Sequence, residues 1–244
     1  MNFDFDSMSI DQINELIGHL VNGTGGFERD FRDAAAAAEA GANRGDAKAQ
    51  CLRGDFLAEG LGVAKDVEGA LALWEKSAAQ GYPPALHRLG MCAMGSVPGV
   101  EKDVSVAVDY FIIAAEKGFP ESMMQLYALY RFGNGVAKDD EKAVKWLKAA
   151  VDADFAPAYV AMGSLLLQNA DASPEQKQEG IGLIQKAAED GDSMGQLLFG
   201  AMCENGVGVE KDLSEAAGWY RRAARAGNVQ ANEALKRLGF PGVL

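Results

Sequence analysis

The chain has 244 residues, 48% of them hydrophobic, and carries 35 acidic against 23 basic side chains for a net charge of −12. So acidic a chain argues against nucleic acid as a partner. No apolar run reaches the roughly 18–20 residues of a membrane-crossing helix. The start, Met1-Asn-Phe-Asp, lacks the basic region of a secretion signal, so the cytoplasm is the expected compartment. Three cysteines, Cys51, Cys92 and Cys203, sit at no regular spacing, which speaks against a disulfide framework and for buried, reduced thiols.

In chain order, residues 1–46 hold nine acids and three arginines, so half of the net negative charge lies in the first fifth of the chain. The spacing around Ile17-Gly18 predicts a first helix. Phe27-Glu28-Arg29-Asp30 leads into a second, in which Ala34–Ala38 stands where later units have bulky residues. From there Val-x-Lys-Asp recurs as Val63–Asp66, Val100–Asp103, Val136–Asp139 and Val209–Asp212, at Val intervals of 37, 36 and 73 residues. A period of this size marks stacked supersecondary units rather than one closed core.

Other columns keep the same register. Fifteen residues after each Asp stand Gly81, Gly118, Asp154 and Gly227, with Gly45 and Gly191 in the remaining units. Bulky pairs precede these positions: Leu73-Trp74, Tyr110-Phe111, Trp146-Leu147, Leu183-Ile184 and Trp219-Tyr220. Further small or aromatic positions follow at Gly54, Gly90, Tyr127, Gly163 and Gly200. Apolar spacings of three and four within each unit predict two helices. Gly-x-Gly (Gly60 to Gly62, Gly133 to Gly135, Gly206 to Gly208) makes the reversal, and the Asp is expected to cap the second helix. One unit lacks these glycines and offers Ser173-Pro174-Glu175-Gln176 as a capping box instead. The bulky pair is expected to fill the space between one unit and the next.

The predicted fold is all-α: an α/α solenoid of six helix-turn-helix repeats at about 10–45, 46–81, 82–118, 119–154, 155–191 and 192–227, closed by a capping helix at 228–240. With no linker-like stretch, 1–244 reads as a single domain.

The unit from Gly195 to Gly227, with Phe199-Gly200, Gly206, Gly208-Val209, Asp212, Ala216, Trp219-Tyr220 and Ala223-Ala224, resembles the Sel1-like repeat family. That family is a branch of the tetratricopeptide-like helical solenoids. The resemblance runs from about Ile10 to Leu238. It implies a right-handed α/α superhelix that binds other proteins: members serve as adaptors, and some bacterial ones are immunity proteins that neutralise toxins. The paired cysteines of the secreted branch and the transmembrane helix of the anchored branch have no counterpart in this sequence.

Catalytic signals dissolve on inspection. Gly191-Asp192-Ser193-Met194-Gly195 has the letters of a nucleophile elbow, but it falls between two predicted helices, and both histidines, His19 and His87, lie upstream. The Gly-x-Gly loops lack the Gly-Lys-Ser/Thr of a phosphate cradle, and the histidines have no ligands at metal spacing. No catalytic residue, cofactor or metal is assigned.

By analogy with tetratricopeptide-like stacks, the first helix of each unit lines the concave face. The expected partner-binding groove then comprises His87, Met91, Met94, Met124, Arg131, Val160, Leu167, Met194 and Leu197. Two readings stand at these positions: a tight superhelix burying them against one another, or an adaptable apolar groove for a peptide or helix. Arg131 either fixes a partner carboxylate or lays its stem over apolar surface. The expected function is a protein-binding scaffold. The alternative is an immunity-type inhibitor of a basic toxin domain, aided by the acidic N-terminal unit.

Overall fold

The computed structural model describes residues 3–97 and 99–243, and among these the regular structure is helical throughout, with no strand. The chain separates into two compact units, residues 1–139 and 140–244. In the first, a 3-10 turn (Phe5–Ser7) precedes α1 (Ile10–Asn22), α2 (Phe31–Asn43), α3 (Ala47–Glu59), α4 (Val67–Ala79), α5 (Pro83–Met91), α6 (Val104–Glu116) and α7 (Pro120–Phe132). The second holds α8 (Asp140–Asp152), α9 (Ala156–Gln168), α10 (Pro174–Glu189), α11 (Ser193–Asn205), α12 (Leu213–Arg225) and α13 (Val229–Arg237). Within each unit, helices consecutive in sequence pack on one another.

The recurring Asp has two jobs. Its carboxylate caps the second helix: Asp66 accepts from Gly69 N–H, Asp103 from Ser105 and Val106, and Asp212 from Ser214 and Glu215. Its own N–H ties the loop back to the end of the first helix. Asp30 donates to the Leu20 carbonyl, Asp66 to Leu57, Asp103 to Ala93, Asp139 to Tyr130 and Asp212 to Cys203, each at 2.9 Å. Such a cap stabilises by about 1 kcal/mol, and the backbone tie fixes the angle at which the second helix leaves. Where the loop glycines are missing, the turn is rebuilt. Asn169 accepts from Asp171 N–H, and Ser173 and Gln176 form the expected capping box.

The bulky pair works differently from the sequence expectation. Its second member is the buried one: Trp74 is 4% exposed, Phe111 and Leu147 0%, Ile184 and Tyr220 1%. In four of these units it sits within its own helix pair, over the glycine of the first helix. A Cβ on Gly54 would lie 2.6 Å from the Trp74 ring, one on Gly90 2.6 Å from Phe111, one on Gly163 2.7 Å from Ile184 and one on Gly200 2.9 Å from Tyr220. Glycine opens a hole in one helix and a large side chain fills it from the other. The first pair reverses the assignment. Ala34, Ala35, Ala37 and Ala38 are fully buried beneath Ile13, Leu16, Ile17 and Leu20, so here α1 supplies the bulk.

Asp154 stands in the glycine column and keeps its backbone conformation (φ 58°). Its carboxylate accepts from the Tyr159 hydroxyl and, at 2.7 Å, from Lys186 Nζ, which also lies 4.3 Å from the Tyr159 ring centre. Three side chains thus fix a conformation that glycine adopts unaided.

Candidate functional site

The nine predicted side chains all lie on first helices or the turn that ends one: His87, Met91 and Met94 on α5 and its extension, Met124 and Arg131 on α7, Val160 and Leu167 on α9, Met194 and Leu197 on α11. None belongs to the buried core. Met194 is 44% exposed and the others are half-buried. Leu167 and Leu197 lean against the core of the second unit, beside Phe199 and Tyr220.

In the first unit Met91 lines a cleft of about 310 Å³, with Asp55 and Ala58 from α3, Val67 and Trp74 from α4, and Arg88 and Cys92 around it. The other predicted residues do not line this cleft. At its wall, Arg88 pairs side-on with Asp55, Nε to Oδ1 at 2.9 Å and Nη2 to Oδ2 at 3.1 Å. The Trp74 indole N–H donates to the same Asp55 oxygen at 3.1 Å and to the Cys51 carbonyl at 3.2 Å. The second unit repeats this device. Glu204 takes both terminal nitrogens of Arg237, at 2.6 and 2.8 Å, and the Tyr220 hydroxyl at 2.7 Å. Arg237, with Tyr220 adding, holds the Glu204 carboxyl below the usual range. In both cases an acid on one first helix meets an arginine 33 residues later, and the aromatic of the intervening helix donates to the acid.

His87 is half-buried and has neighbours of its own within the first unit. Its Nδ1 is hydrogen-bonded to the Ser122 hydroxyl at 2.9 Å, and its ring lies 5.4 Å from Phe111 and 5.3 Å from Phe119. Burial, with the Arg88 charge adding to it, pulls its pKa down to about 4 from 6.5. The folded state therefore binds fewer protons here than the unfolded chain. The stabilisation from neutral His87 is complete above pH 6.5 and is lost as pH falls through 6.5 toward 4, at up to about 1.4 kcal/mol per pH unit. Wild type is expected to lose melting temperature more steeply than His87→Gln between pH 6.5 and 4.5; equal slopes would show that His87 titrates freely.

The thiols are free and buried. Burial, helped by Asp55, pushes Cys51 up to about 12, and burial with neighbouring acids pushes Cys203 up to about 11, so both stay protonated and weakly nucleophilic. The elbow-like segment is a helix start. Asp192 caps α11 by accepting from Gly195 N–H at 2.6 Å, and a Cβ on Gly195 would lie 2.8 Å from Ala187 and Ala188. Among the described residues, no three His, Cys, Asp or Glu side chains converge as metal ligands, and no helix is long and apolar enough to cross a membrane.

Helix pairs joined by a Gly-rich reversal, with glycine in one helix under a bulky residue of the other, define an α/α repeat protein. The Sel1 repeat model matches residues 47–82, 83–119, 120–155, 156–192 and 193–228, and the chain belongs to the Sel1 repeat family. An uncharacterized protein of Neisseria meningitidis serogroup B is 28% identical over 85% of this chain and 42% of its own length. Chitin synthase regulatory factor 3 of Schizosaccharomyces pombe is 23% identical over 91% of this chain and 28% of its own. The chain thus spans less than half the length of these two relatives. Among solved structures, a Sel1 repeat protein from Oxalobacter formigenes superimposes with a TM-score of 0.78 at 29% identity, covering 96% of this chain and 67% of that one. Immunity protein Pa5087 from Pseudomonas aeruginosa shares the fold, with a TM-score of 0.65 at 18% identity over 92% and 86% of the two chains. Sel1 repeat proteins are protein-interaction scaffolds and generally non-catalytic, and the similar proteins include regulators and immunity proteins.

Proposed function

We propose that this protein is a non-catalytic scaffold in the cytoplasm, a single functional domain of six helix pairs and a closing helix, which holds a segment of another protein against its first helices. The contact residues are His87, Met91, Met94, Met124 and Arg131 in the first unit, and Val160, Leu167, Met194 and Leu197 in the second. The observation that carries this reading is that the row stays outside the buried core although most of it is apolar. The first helices bury one set of large side chains, among them Leu86, Leu89, Leu126 and Phe199, and leave the thioethers and aliphatic groups of this row partly open. Flexible Met side chains suit such a surface because they repack against partners of different shape.

A second reading, an immunity-type inhibitor, is favoured by the acidic residues 1–46. It differs in kinetics: an inhibitor of a basic target associates fast and slows steeply with salt, whereas a scaffold using apolar contacts does not.

The test is capture of partners from the source cells with wild type, Met91→Asp and Leu167→Asp, followed by mass spectrometry. A desolvated carboxylate at a contact position is expected to weaken binding by at least tenfold, about 1.4 kcal/mol, while helicity and melting temperature stay near wild type. Variants that unfold, or that capture the same proteins as wild type, refute the assignment of these faces.

A further inference from the structure

The cleft beside Arg88 owes its shape to one irregular repeat. In the three Gly-x-Gly units the left-handed glycine that ends the first helix stands six residues before the capping Asp: Gly60 before Asp66, Gly133 before Asp139, Gly206 before Asp212. Here Gly95 (φ 87°) stands eight before Asp103, and residues Cys92–Ser96 form a π turn. The helix stops one residue early and the loop is longer, so Ser96 and Val97 form one wall of the cleft and Val67 and Trp74 line it from α4.

From this geometry we infer that the cleft receives one large apolar side chain of a partner segment, flanked by a carboxylate. The lining is mostly apolar: Val67, Trp74, Met91, Cys92 and Val97. Its volume, about 310 Å³, lies at the small end of ligand pockets and suits a side chain rather than a cofactor. The polar groups choose the sign of the ligand. Asp55 already accepts three hydrogen bonds, two from Arg88 and one from Trp74, so its charge is matched and it offers little to a cation. Glu59 and Lys65, both on the lining, offset each other. Arg88 remains: its side-on pairing uses Nε and Nη2, which leaves the two N–H groups of Nη1 for an acceptor. Arg237 in the second unit spends one hydrogen of each terminal nitrogen on Glu204, so it keeps no terminal nitrogen whole for a second acceptor. A guanidinium fixed by one carboxylate and still able to donate is preorganised for a second.

This inference rests on the scaffold reading and names the chemistry of the segment bound. Two probes separate it from simple hydrophobic contact: N-acetyl-L-phenylalanine and its neutral amide, N-acetyl-L-phenylalaninamide, titrated into the full chain at concentrations up to about 10 mM and followed by NMR. Both are expected to shift the Trp74 indole N–H and the Met91 methyl signals, the acid binding about three- to tenfold more tightly and also shifting Arg88 Nε–H. Arg88→Gln is expected to equalise the two probes. Val97→Asp, which lies on the loop outside any helix, is expected to abolish the preference without touching the ion pair. Equal binding of acid and amide by wild type, shifts confined to other helices, or a preference that survives Val97→Asp would overturn the proposal. If the acid shows no preference while Leu167→Asp still abolishes partner capture, the cleft assignment falls and the scaffold reading stands. If the preference is present but no partner depends on the first helices, the reverse holds.

Discussion

Truncating Phe111 to alanine is expected to cost about 3–5 kcal/mol, among the largest effects of any single substitution in the chain. The ring is fully buried, and it occupies the hole that Gly90 leaves in the facing helix. Filling the hole from the other side should be nearly as harmful. In Gly90→Leu the new Cβ alone lies 2.6 Å from the ring, which is fully buried. Overpacking of this kind costs about 1–3 kcal/mol. The informative variant is the double exchange, Gly90→Leu with Phe111→Ala, which moves the bulk from α6 to α5. The first pair already uses that arrangement, with alanines on α2 beneath the large residues of α1. The double variant is expected to unfold in urea at a higher midpoint than Phe111→Ala alone, with a coupling energy above about 1 kcal/mol. Strict additivity would show that knob and hole do not act as a pair.

The second large effect is Gly62→Ala, expected to destabilise by about 2–5 kcal/mol, against about 1–2 kcal/mol for Gly60→Ala. Both glycines are left-handed, at φ 70° and 72°, so the backbone strain is shared. Their surroundings differ. A Cβ on Gly60 meets nothing nearer than 3.4 Å, whereas one on Gly62 would lie 2.2 Å from the Phe31 carbonyl oxygen and 2.5 Å from Arg32 N. Those are backbone atoms at the start of α2, and no rotamer change removes them. The first glycine of Gly-x-Gly ends a helix; the second lets one loop touch the helix pair before it. Gly135 and Gly208 occupy the same place, over Val104 and Ile181. Thermal melts of the two alanine variants measure the difference directly, and equal losses would mean that the loop contact carries no load.

Both predictions concern columns that were visible in the sequence. The period, the two-helix unit, the capping Asp and the replacement cap at Ser173 follow from spacing and residue type, because these interactions are local. The partners of the columns were not visible. The glycine of one helix and the aromatic of the next were each apparent, but that they interlock within a pair, rather than across pairs, depends on helix rotation, which periodicity leaves open. The Asp55–Arg88 pair was missed for a different reason. It joins positions 33 residues apart that fall in different columns of neighbouring units. The matching interval between Glu204 and Arg237 was the available signal. The groove positions rest on analogy with related stacks, and that route does not show that His87 also bonds Ser122 and lies beside Phe111 and Phe119.

Hydrogen–deuterium exchange on a complex with a captured partner tests the central claim most directly. Protection gained on α5, α7, α9 and α11, with the second helices α6, α10 and α12 unchanged, is the result predicted. Protection confined to the second helices or to the Gly-x-Gly loops would contradict it.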